Sequence, residues 1–221
     1  MTDFAHARRV MVDAQVRTYS VNDLRVMGAM LEIPRERFVP EESRVLAYAD
    51  LELPVTKSRP GTKPRCLLRP AILARLIQEA QVSPTDRVLD VGCATGYSTV
   101  LLSRIAASVV GLEEDPELAA AAKANVAAFA PNASIVTGAL TAGAPQEAPF
   151  DVIFLQGETE IVPEKLCGQL RDGGRLACIV GRMPGRATIY RSVSGHVTGY
   201  PVFDAAAPLL PGFAKPAEFI F

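Results

Sequence analysis

Short apolar runs alternate with longer segments of helical period through the middle of the chain, from residue 71 to residue 180. The apolar runs at 86–91, 109–112, 133–137, 150–155 and 175–180 are predicted to be strands. Helices are predicted at 71–80 and 118–129, the second beginning with Asp115 as its N-cap. Nearly continuous apolar strands that alternate with helices are typical of a parallel sheet covered on both faces. The pattern therefore predicts an α/β fold.

The segments on either side of this core have different patterns. Residues 4–32 have apolar positions near the helical period and are predicted to be helices, with Asn22 as a cap of the second. Residues 35–38 form a turn-like segment and residues 55–70 a loop with three prolines and a glycine. Runs at 187–193 and 197–203, joined by Ser194-Gly195-His196, predict an antiparallel hairpin added to the sheet. The apolar segment 208–221 is compatible with covering a cleft or with docking on an edge strand.

Composition narrows the class of protein. A chain of 221 residues that is 49% hydrophobic can bury a full core, and a net charge of −1 argues against a general nucleic-acid-binding surface. No apolar run approaches the roughly 20 residues of a membrane span, and the first residues lack the apolar centre of a signal peptide. We therefore expect a cytoplasmic protein with no membrane partner. Four cysteines without a C-x-x-C pair, and only two histidines, predict reduced thiols, at least two of them in the core, and no metal site.

The most informative segment is 88–97, where an apolar strand leads into a glycine-containing turn and then a helix. Glycines allow the backbone to approach a ligand, and the exposed amides of such a turn donate to it. Glu113, 21 residues after Gly92, ends the next strand, where a carboxylate can accept from both ribose hydroxyls. These positions predict a cofactor that contains adenosine. A strand-to-helix turn whose glycines serve packing alone is the structural alternative.

The spacing distinguishes between adenosine cofactors. The S-adenosylmethionine pattern acid-x-G-x-G-x-G places an acid at Asp90 and glycines at 92, 94 and 96, and only Ala94 departs from it. The dinucleotide pattern needs small residues at 92, 94 and 97, and Tyr97 would crowd a pyrophosphate. S-adenosyl-L-methionine is therefore the predicted cofactor, and a dehydrogenase is the least favoured hypothesis.

Several segments together resemble the protein-L-isoaspartate O-methyltransferase family. The similar segments are 11–16, 23–30, 34–40, 47–50, 53–54, 87–92, 96–97, 169–170 and 173–176. The resemblance implies a Rossmann-like class I methyltransferase fold, with a mostly parallel seven-stranded sheet, an antiparallel hairpin and an amino-terminal helical extension. It divides the chain into residues 1–70, the extension with a substrate-side loop, and residues 71–221, the cofactor-binding core. It implies protein repair, with isoaspartyl proteins or peptides as partners.

The resemblance and the motif together assign the site residues. The expected cofactor-binding residues are Asp90, Gly92, Cys93, Ala94, Gly96, Glu113, Glu114, Gly138, Ala139, Leu140 and Gln156. The family has Gly-Asp-Gly where this chain has residues 138–140, so a hydrogen bond from the adenine amino group to an aspartate is lost. Such a bond to a charged group is worth about 1.5–3 kcal/mol. Backbone amides at 139 and 140 are expected to reach adenine instead.

On the substrate side the expected residues are Cys66, Leu68 and Arg69. The family has a Thr-x-Ser motif here, and this chain has Cys66 and Leu68 at the two hydroxyl positions. The loop also carries Lys57, Arg59, Lys63 and Arg65, without an acidic residue from 57 to 69. One hypothesis is that Arg69 binds an anionic acceptor, because guanidinium recognises carboxylate bidentately. The simpler hypothesis is a solvated basic loop that pairs with acids such as Glu41 and Glu42.

Further predictions concern groups around this loop. Cys66 is expected to be an inert thiol because no histidine is near it in the sequence. Glu158 and Glu160, just after the fourth core strand, either shape the acceptor side or are solvated loop charges, the simpler interpretation. His6 and His196 are expected at the surface.

Three functions remain open at the level of the sequence. The first is S-adenosylmethionine-dependent methylation of the carboxylate of damaged aspartyl residues, which needs no general base because a carboxylate is ionised at neutral pH. The second is methylation of another acceptor on the same scaffold. The third is a non-catalytic binding protein derived from such an enzyme, suggested by the departures at 66–68, 94 and 139.

Overall fold

The computed structural model describes residues 3–57, 63–181 and 185–216. Six α-helices are present in these ranges. They are α1 (Phe4–Met11), α2 (Leu24–Glu32), α3 (Pro70–Glu79), α4 (Tyr97–Ser103), α5 (Pro116–Phe129) and α6 (Glu164–Cys167). Short π- or 3₁₀-helical segments occupy Val12–Val16, Arg17–Tyr19, Arg35–Arg37, Glu41–Leu46 and Leu140–Ala142.

Nine strands form two sheets within the described residues. They are β1 (Leu53–Pro54), β2 (Cys66–Leu67), β3 (Arg87–Val91), β4 (Ser108–Glu113), β5 (Ala133–Thr137), β6 (Phe150–Thr159), β7 (Leu170–Val180), β8 (Arg186–Val193) and β9 (His196–Asp204). The small sheet pairs β1 with β2, and the large one has the order β5-β4-β3-β6-β7-β8-β9. The first five strands of the large sheet are parallel, and β8 and β9 are antiparallel. The predicted fold class is confirmed.

Alternate residues of the central strands lie in two buried clusters, one on each face of the sheet. Val88, Val109 and Val152 belong to the cluster that also contains the amino-terminal segment and α3. Their neighbours Leu89 and Val110 belong to the second cluster. Since strand side chains alternate between faces, both faces of the sheet are covered, as the nearly continuous apolar runs predicted.

The amino-terminal segment packs on the sheet instead of forming a separate core. Met11, Met30 and Phe38 are buried in the same cluster as Leu73 and Leu101, which belong to α3 and α4. Pro70 is the first residue of α3, a favourable place for a residue without a backbone N–H. The division of the chain at residue 70 stays a prediction.

Local details correct several predicted elements. Asp23, not Asn22, caps α2 by accepting from the backbone N–H of Arg25. The segment 55–70 contains β2, so it is not entirely a loop. The strand β6 continues to Thr159, and β7 begins at Leu170, five residues before its predicted start. The predicted hairpin turn is confirmed: Ser194 and Gly195 have φ of +52° and +78°, the left-handed geometry of a two-residue hairpin loop.

The segment after β9 lies across the carboxyl end of β6. The backbone N–H of Glu158 donates to the Pro208 carbonyl at 2.9 Å, and the N–H of Leu210 donates to the Glu158 carbonyl at 3.0 Å. Leu210 is buried beside Gly157, where a Cβ would lie 2.7 Å from the leucine Cγ. The described part of this segment bonds to the central strand β6, not to an edge strand, and Pro211 lines the cleft described below; residues 217–221 lie outside the described residues.

Two features are absent from the described ranges: a membrane-spanning helix and a cluster of metal ligands. None of the helices there combines the length and the apolar character that crossing a bilayer requires. No group of three or more His, Cys, Asp or Glu side chains there could hold a metal ion.

Candidate functional site

The glycine-containing turn lies at the carboxyl ends of the central strands, between β3 and α4. Three of its residues have positive φ: Gly92 at +75°, Ala94 at +52° and Gly96 at +88°. The backbone N–H of Gly92 donates to the Leu112 carbonyl at 2.8 Å, which ties the turn to β4. Only two of the three left-handed positions have the residue that adopts this geometry without strain. Ala94 is thus a strained position, and not merely a departure from a sequence pattern.

Asp90 and Gln156 connect the two central strands beneath this turn. The Asp90 carboxylate is fully buried and accepts from Ser98 Oγ at 2.7 Å, Thr99 Oγ1 at 2.6 Å and Gln156 Nε2 at 2.6 Å. Burial raises the pKa of Asp90, while these three donors oppose that shift. The strands β3 and β6 are neighbours, but the chain continues from β3 to β4 on one side and from β6 to β7 on the other. The network therefore lies at the topological switch point of the sheet, where α/β folds bind ligands.

Glu113 ends β4 with its carboxylate completely buried. It accepts from the backbone N–H groups of Ala94 at 2.8 Å, Glu114 at 3.0 Å and Asp115 at 3.2 Å. The turn and the residues just before α5 therefore converge on one carboxylate, and its predicted role in binding ribose stays a prediction.

Arg65 also binds this carboxylate, which the sequence did not predict. Its Nη1 lies 2.8 Å from Glu113 Oε1 and its Nη2 lies 3.0 Å from Oε2, and Nη2 also donates to the Gly92 carbonyl at 3.0 Å. The Arg65 side chain is 12% exposed. Pairing of β1 with β2 brings Arg65 here, because its carbonyl accepts from the Val55 N–H and its own N–H donates to Thr56 Oγ1.

The other basic residues of the loop have different surroundings. Arg69 is partly exposed and pairs with Asp50, and not with Glu41 or Glu42, the acids given as examples for the loop. Glu41 instead has Arg44 within 3.8 Å. Lys57 and Lys63 are exposed, and Arg59 lies outside the described residues.

Positions 66 and 68, where the family that this chain resembles has Thr and Ser, have no hydroxyl group here. Leu68 is buried, and its carbonyl accepts from Arg35 Nη2 at 2.8 Å. Cys66 is half-buried, and burial raises the pKa of its thiol to about 11. The thiol is therefore protonated at neutral pH, in agreement with its prediction as inert. Cys93, Cys167 and Cys178 are buried and free, which confirms the prediction of reduced core thiols.

The loop after β5 lies on the other side of Glu113. Leu140 is buried, its N–H is 3.5 Å from the Glu114 carboxylate, and its Cδ1 would lie 3.6 Å from a Cβ on Gly92. Gly138 donates its N–H to the Glu113 carbonyl at 3.1 Å, and Ala139 is exposed. The role of the amides at 139 and 140 in binding adenine stays a prediction.

The two glutamates at the carboxyl end of β6 have unequal exposure. Glu158 is buried within the strand, so the interpretation as a solvated loop charge is wrong for this residue. Glu160 is half-buried, and its carboxylate accepts from the Lys215 N–H at 2.9 Å. His6 and His196 are exposed, as expected.

Two cavities have residues of the turn 92–96 in their lining. The larger, about 1160 Å³, is an open cleft lined by Arg37, Lys57, Lys63 and Arg65 and by the acidic residues Glu114, Asp115 and Glu117, with other residues. The smaller, about 10 Å³, is lined by Cys66, Leu68, Gly92, Cys93, Ala94, Tyr97, Ser98 and Gln156, among others. A volume of 10 Å³ is about that of a single water probe, so the chain's own side chains nearly fill the space in front of the turn.

Comparison with known proteins identifies the family. The model of the family described as "Protein-L-isoaspartate(D-aspartate) O-methyltransferase" matches residues 7–196. The chain belongs to this family. The protein-L-isoaspartate O-methyltransferase of Koribacter versatilis (strain Ellin345) is 39% identical over 182 residues, which cover 82% of this chain and 79% of that protein. The one from Roseiflexus sp. (strain RS-1) is 39% identical over 180 residues, 81% of this chain and 79% of that protein.

Solved structures agree with this membership. A protein-L-isoaspartate O-methyltransferase superposes with a TM-score of 0.79 at 26% identity, over 93% of this chain and 66% of that longer one. A putative member from Plasmodium falciparum, in complex with S-adenosyl-L-homocysteine, superposes with a TM-score of 0.75 over 92% of this chain and 97% of that one. The latter is 20% identical and supports the fold alone. The resemblance inferred from the amino-terminal segments is confirmed.

Proposed function

We propose that this member of the protein-L-isoaspartate O-methyltransferase family uses S-adenosylmethionine to methylate the displaced carboxylate of damaged aspartyl residues in proteins. The observation that carries the proposal is the convergence of the turn 92–96 and the start of α5 on the buried Glu113 carboxylate, within a chain that matches the family over residues 7–196. This supports a site for a nucleoside cofactor at the switch point of the sheet.

The residues present suit the cofactor. Both Glu113 oxygens face a donor pair, the Arg65 guanidinium, which could be replaced by the two vicinal hydroxyls of a ribose. Gly92 has room for close approach of a ligand only after Arg65 and Leu210 move, since a Cβ there would lie 3.0 Å and 3.1 Å from them. Glu113 would hold the ribose, and the backbone of the turn 92–96 would lie against the amino-acid end of the cofactor.

The chemistry demands little of the protein. When bound, S-adenosylmethionine supplies a methyl group on a sulfonium sulfur, and the C–S bond breaks as the acceptor oxygen forms its bond to the methyl carbon. An acceptor carboxylate with a pKa of about 4 is already ionised, so no base is needed. The residues that line the small cavity would align the acceptor and exclude water, the two contributions that lower the barrier here.

The alternative of a different acceptor rests on one observation, the buried Leu68 at the serine position of the family. Restoration of the hydroxyl separates the two hypotheses. Leu68→Ser should raise the turnover of an isoaspartyl peptide above that of the unmodified protein if the missing hydroxyl limits the repair reaction. If the acceptor is another carboxylate, the variant should leave isoaspartyl turnover unchanged.

The primary test is calorimetric titration with S-adenosylhomocysteine, followed by transfer of a labelled methyl group to an isoaspartyl peptide. A peptide with ordinary aspartate at the same position is the matched acceptor control, and NAD is the matched ligand control. The proposal expects binding of S-adenosylhomocysteine, no heat with NAD, and label only in the isoaspartyl peptide. Binding without transfer to either peptide would refute the acceptor, and absence of binding would favour a non-catalytic binding protein.

A further inference from the structure

The Arg65 guanidinium occupies the place that the proposed function assigns to a ribose. Two of its nitrogens bind the two oxygens of Glu113 at 2.8 and 3.0 Å, in the side-by-side manner that vicinal hydroxyls would use. A third contact, from Nη2 to the Gly92 carbonyl at 3.0 Å, places the same group against the turn. The Glu113 carboxylate already accepts three backbone N–H groups, so a guanidinium and a ribose cannot both have full access to it.

Arg65 lines one cavity and contacts the lining of the other. Arg65 lines the large open cleft, and its Nη2 would lie 3.0 Å from a Cβ on Gly92, which lines the small cavity. A ligand with a nucleoside and an amino-acid end needs both spaces at once. Arg65 is one of the two side chains, with Leu210, that lie against Gly92 and would have to move.

The cleft offers the displaced guanidinium other partners. The acidic residues Glu114, Asp115 and Glu117 line the same cleft as Arg65. The Arg65 backbone is held in the β1–β2 ladder region by its bonds to Val55 and Thr56. The Arg65 side chain could therefore turn from Glu113 toward these acids by rotation about its own bonds, while β1 and β2 stay paired. After it leaves Glu113, the guanidinium would still have acidic residues near it.

We infer that Arg65 is an internal competitor of the cofactor: its guanidinium closes the ribose site of the ligand-free protein, and binding of the cofactor requires its release. This inference rests on the proposed function, because it assumes that Glu113 binds ribose. It assigns Arg65 a regulatory contact and makes the apparent affinity of the protein for its cofactor lower than the intrinsic affinity of the open site.

The test compares the dissociation constant of S-adenosylhomocysteine, measured by calorimetry, for the unmodified protein and Arg65→Gln. Glutamine keeps a polar side chain but has no charge for Glu113. A bidentate charged pair justifies an expected affinity about 10- to 100-fold tighter in the variant. Arg87→Gln is the matched control, because Arg87 binds Glu147 beside the opposite, amino end of β3. It should leave the affinity unchanged.

A second readout does not depend on the affinity. Urea unfolding of the ligand-free proteins should show Arg65→Gln less stable than the unmodified protein, because Glu113 loses its buried counter-charge. At saturating S-adenosylhomocysteine this difference should largely disappear, since the released arginine no longer stabilises the site in either protein. Arg65→Lys keeps the charge but not the bidentate geometry, so it should have an intermediate affinity for S-adenosylhomocysteine. This variant replaces Arg65→Gln in the test if the glutamine variant does not fold.

The outcomes separate the two proposals. Equal binding by the unmodified protein and Arg65→Gln would overturn the competitor and leave the cofactor site intact. Weaker binding by the variant would also overturn it, because Arg65 would then be a ligand of the cofactor. No binding by any of the proteins, despite native circular dichroism, would refute the proposed function together with the inference that rests on it.

Discussion

Replacement of Arg35 by methionine should destabilise the protein by about 2–4 kcal/mol. Arg35 is completely buried, and no carboxylate pairs with it among the contacts of the described residues. Its Nε donates to the Ala47 carbonyl at 2.9 Å and its Nη2 to the Leu68 carbonyl at 2.8 Å, and the guanidinium carbon lies 4.7 Å from the centroid of the Tyr97 ring. It thus joins the amino-terminal segment to the substrate-side loop.

The magnitude follows from what methionine leaves behind. Two buried carbonyls lose their donor, at about 1–3 kcal/mol each, and the cation–π contact contributes about 1 kcal/mol more. These losses are partly offset because methionine removes the cost of burying a charged group. That cost is also why burial lowers the pKa of Arg35. The carbonyls belong to the backbone and cannot be replaced along with the arginine. Their loss should therefore exceed the gain, in contrast to a buried ion pair in which both partners are exchanged for apolar residues.

Urea unfolding followed by circular dichroism measures this effect. Arg37→Met is the matched control, because Arg37 lies in the same 3₁₀ turn and is exposed; it should change the stability by less than about 0.5 kcal/mol. Arg35→Lys should also be destabilised, because one ammonium group does not reproduce the planar fork that spans two carbonyls. A stability of Arg35→Met equal to that of the unmodified protein would refute the reasoning, since the cost of burying the guanidinium would then cancel its hydrogen bonds.

Three further predictions follow from the site. Ala94→Gly should raise the stability by about 0.5–1 kcal/mol in urea unfolding, because φ is +52° at this position; Ala120→Gly, on the exposed side of α5, should instead lower it by about 1 kcal/mol. Because burial raises the pKa of Cys66 to about 11, its alkylation by iodoacetamide should be slow at pH 7.5 and rise steeply only above pH 9, as followed by mass spectrometry; fast labelling at pH 7.5 would contradict the burial argument. Arg69→Ala should change the stability by less than about 1 kcal/mol in the same unfolding assay, because its pair with Asp50 is partly exposed; a larger loss would show that the pair anchors the loop.

The competitor hypothesis also changes how a weak cofactor affinity would be interpreted. The sequence alone attributes low affinity to eroded motifs at Ala94 and Ala139. The structure suggests a second cause, the contact between Arg65 and Glu113. It would lower the affinity for the cofactor even if every cofactor-binding group were present, because Arg65 would have to leave Glu113 first. The Arg65→Gln titration separates these causes. If the departures at Ala94 and Ala139 alone weaken binding, the substitution should leave the dissociation constant unchanged.

The sequence by itself determined the fold class, the order of the strands along the chain and the acid that ends β4. These features depend on local backbone preferences, which can be predicted from residues close together in the chain. They are the apolar runs of strand length, the glycines after β3 and the spacing from Gly92 to Glu113. The family could also be inferred from the sequence, because the amino-terminal segments 11–16, 23–30 and 34–40 carry a pattern that short cofactor motifs lack.

Only the tertiary structure decided which arginine binds which acid. Arg65 and Glu113 are 48 residues apart, and their contact depends on the β1–β2 pairing and on the burial of the carboxylate. For Arg69 the sequence offered an anionic acceptor or, more simply, acids such as Glu41 and Glu42, and the structure pairs it with Asp50. It also missed the burial of Glu158, because the bond between this strand and the segment at Pro208 joins residues far apart in the chain. Long-range pairing of charged groups is set by geometry and desolvation, and neither has a local signal in the sequence.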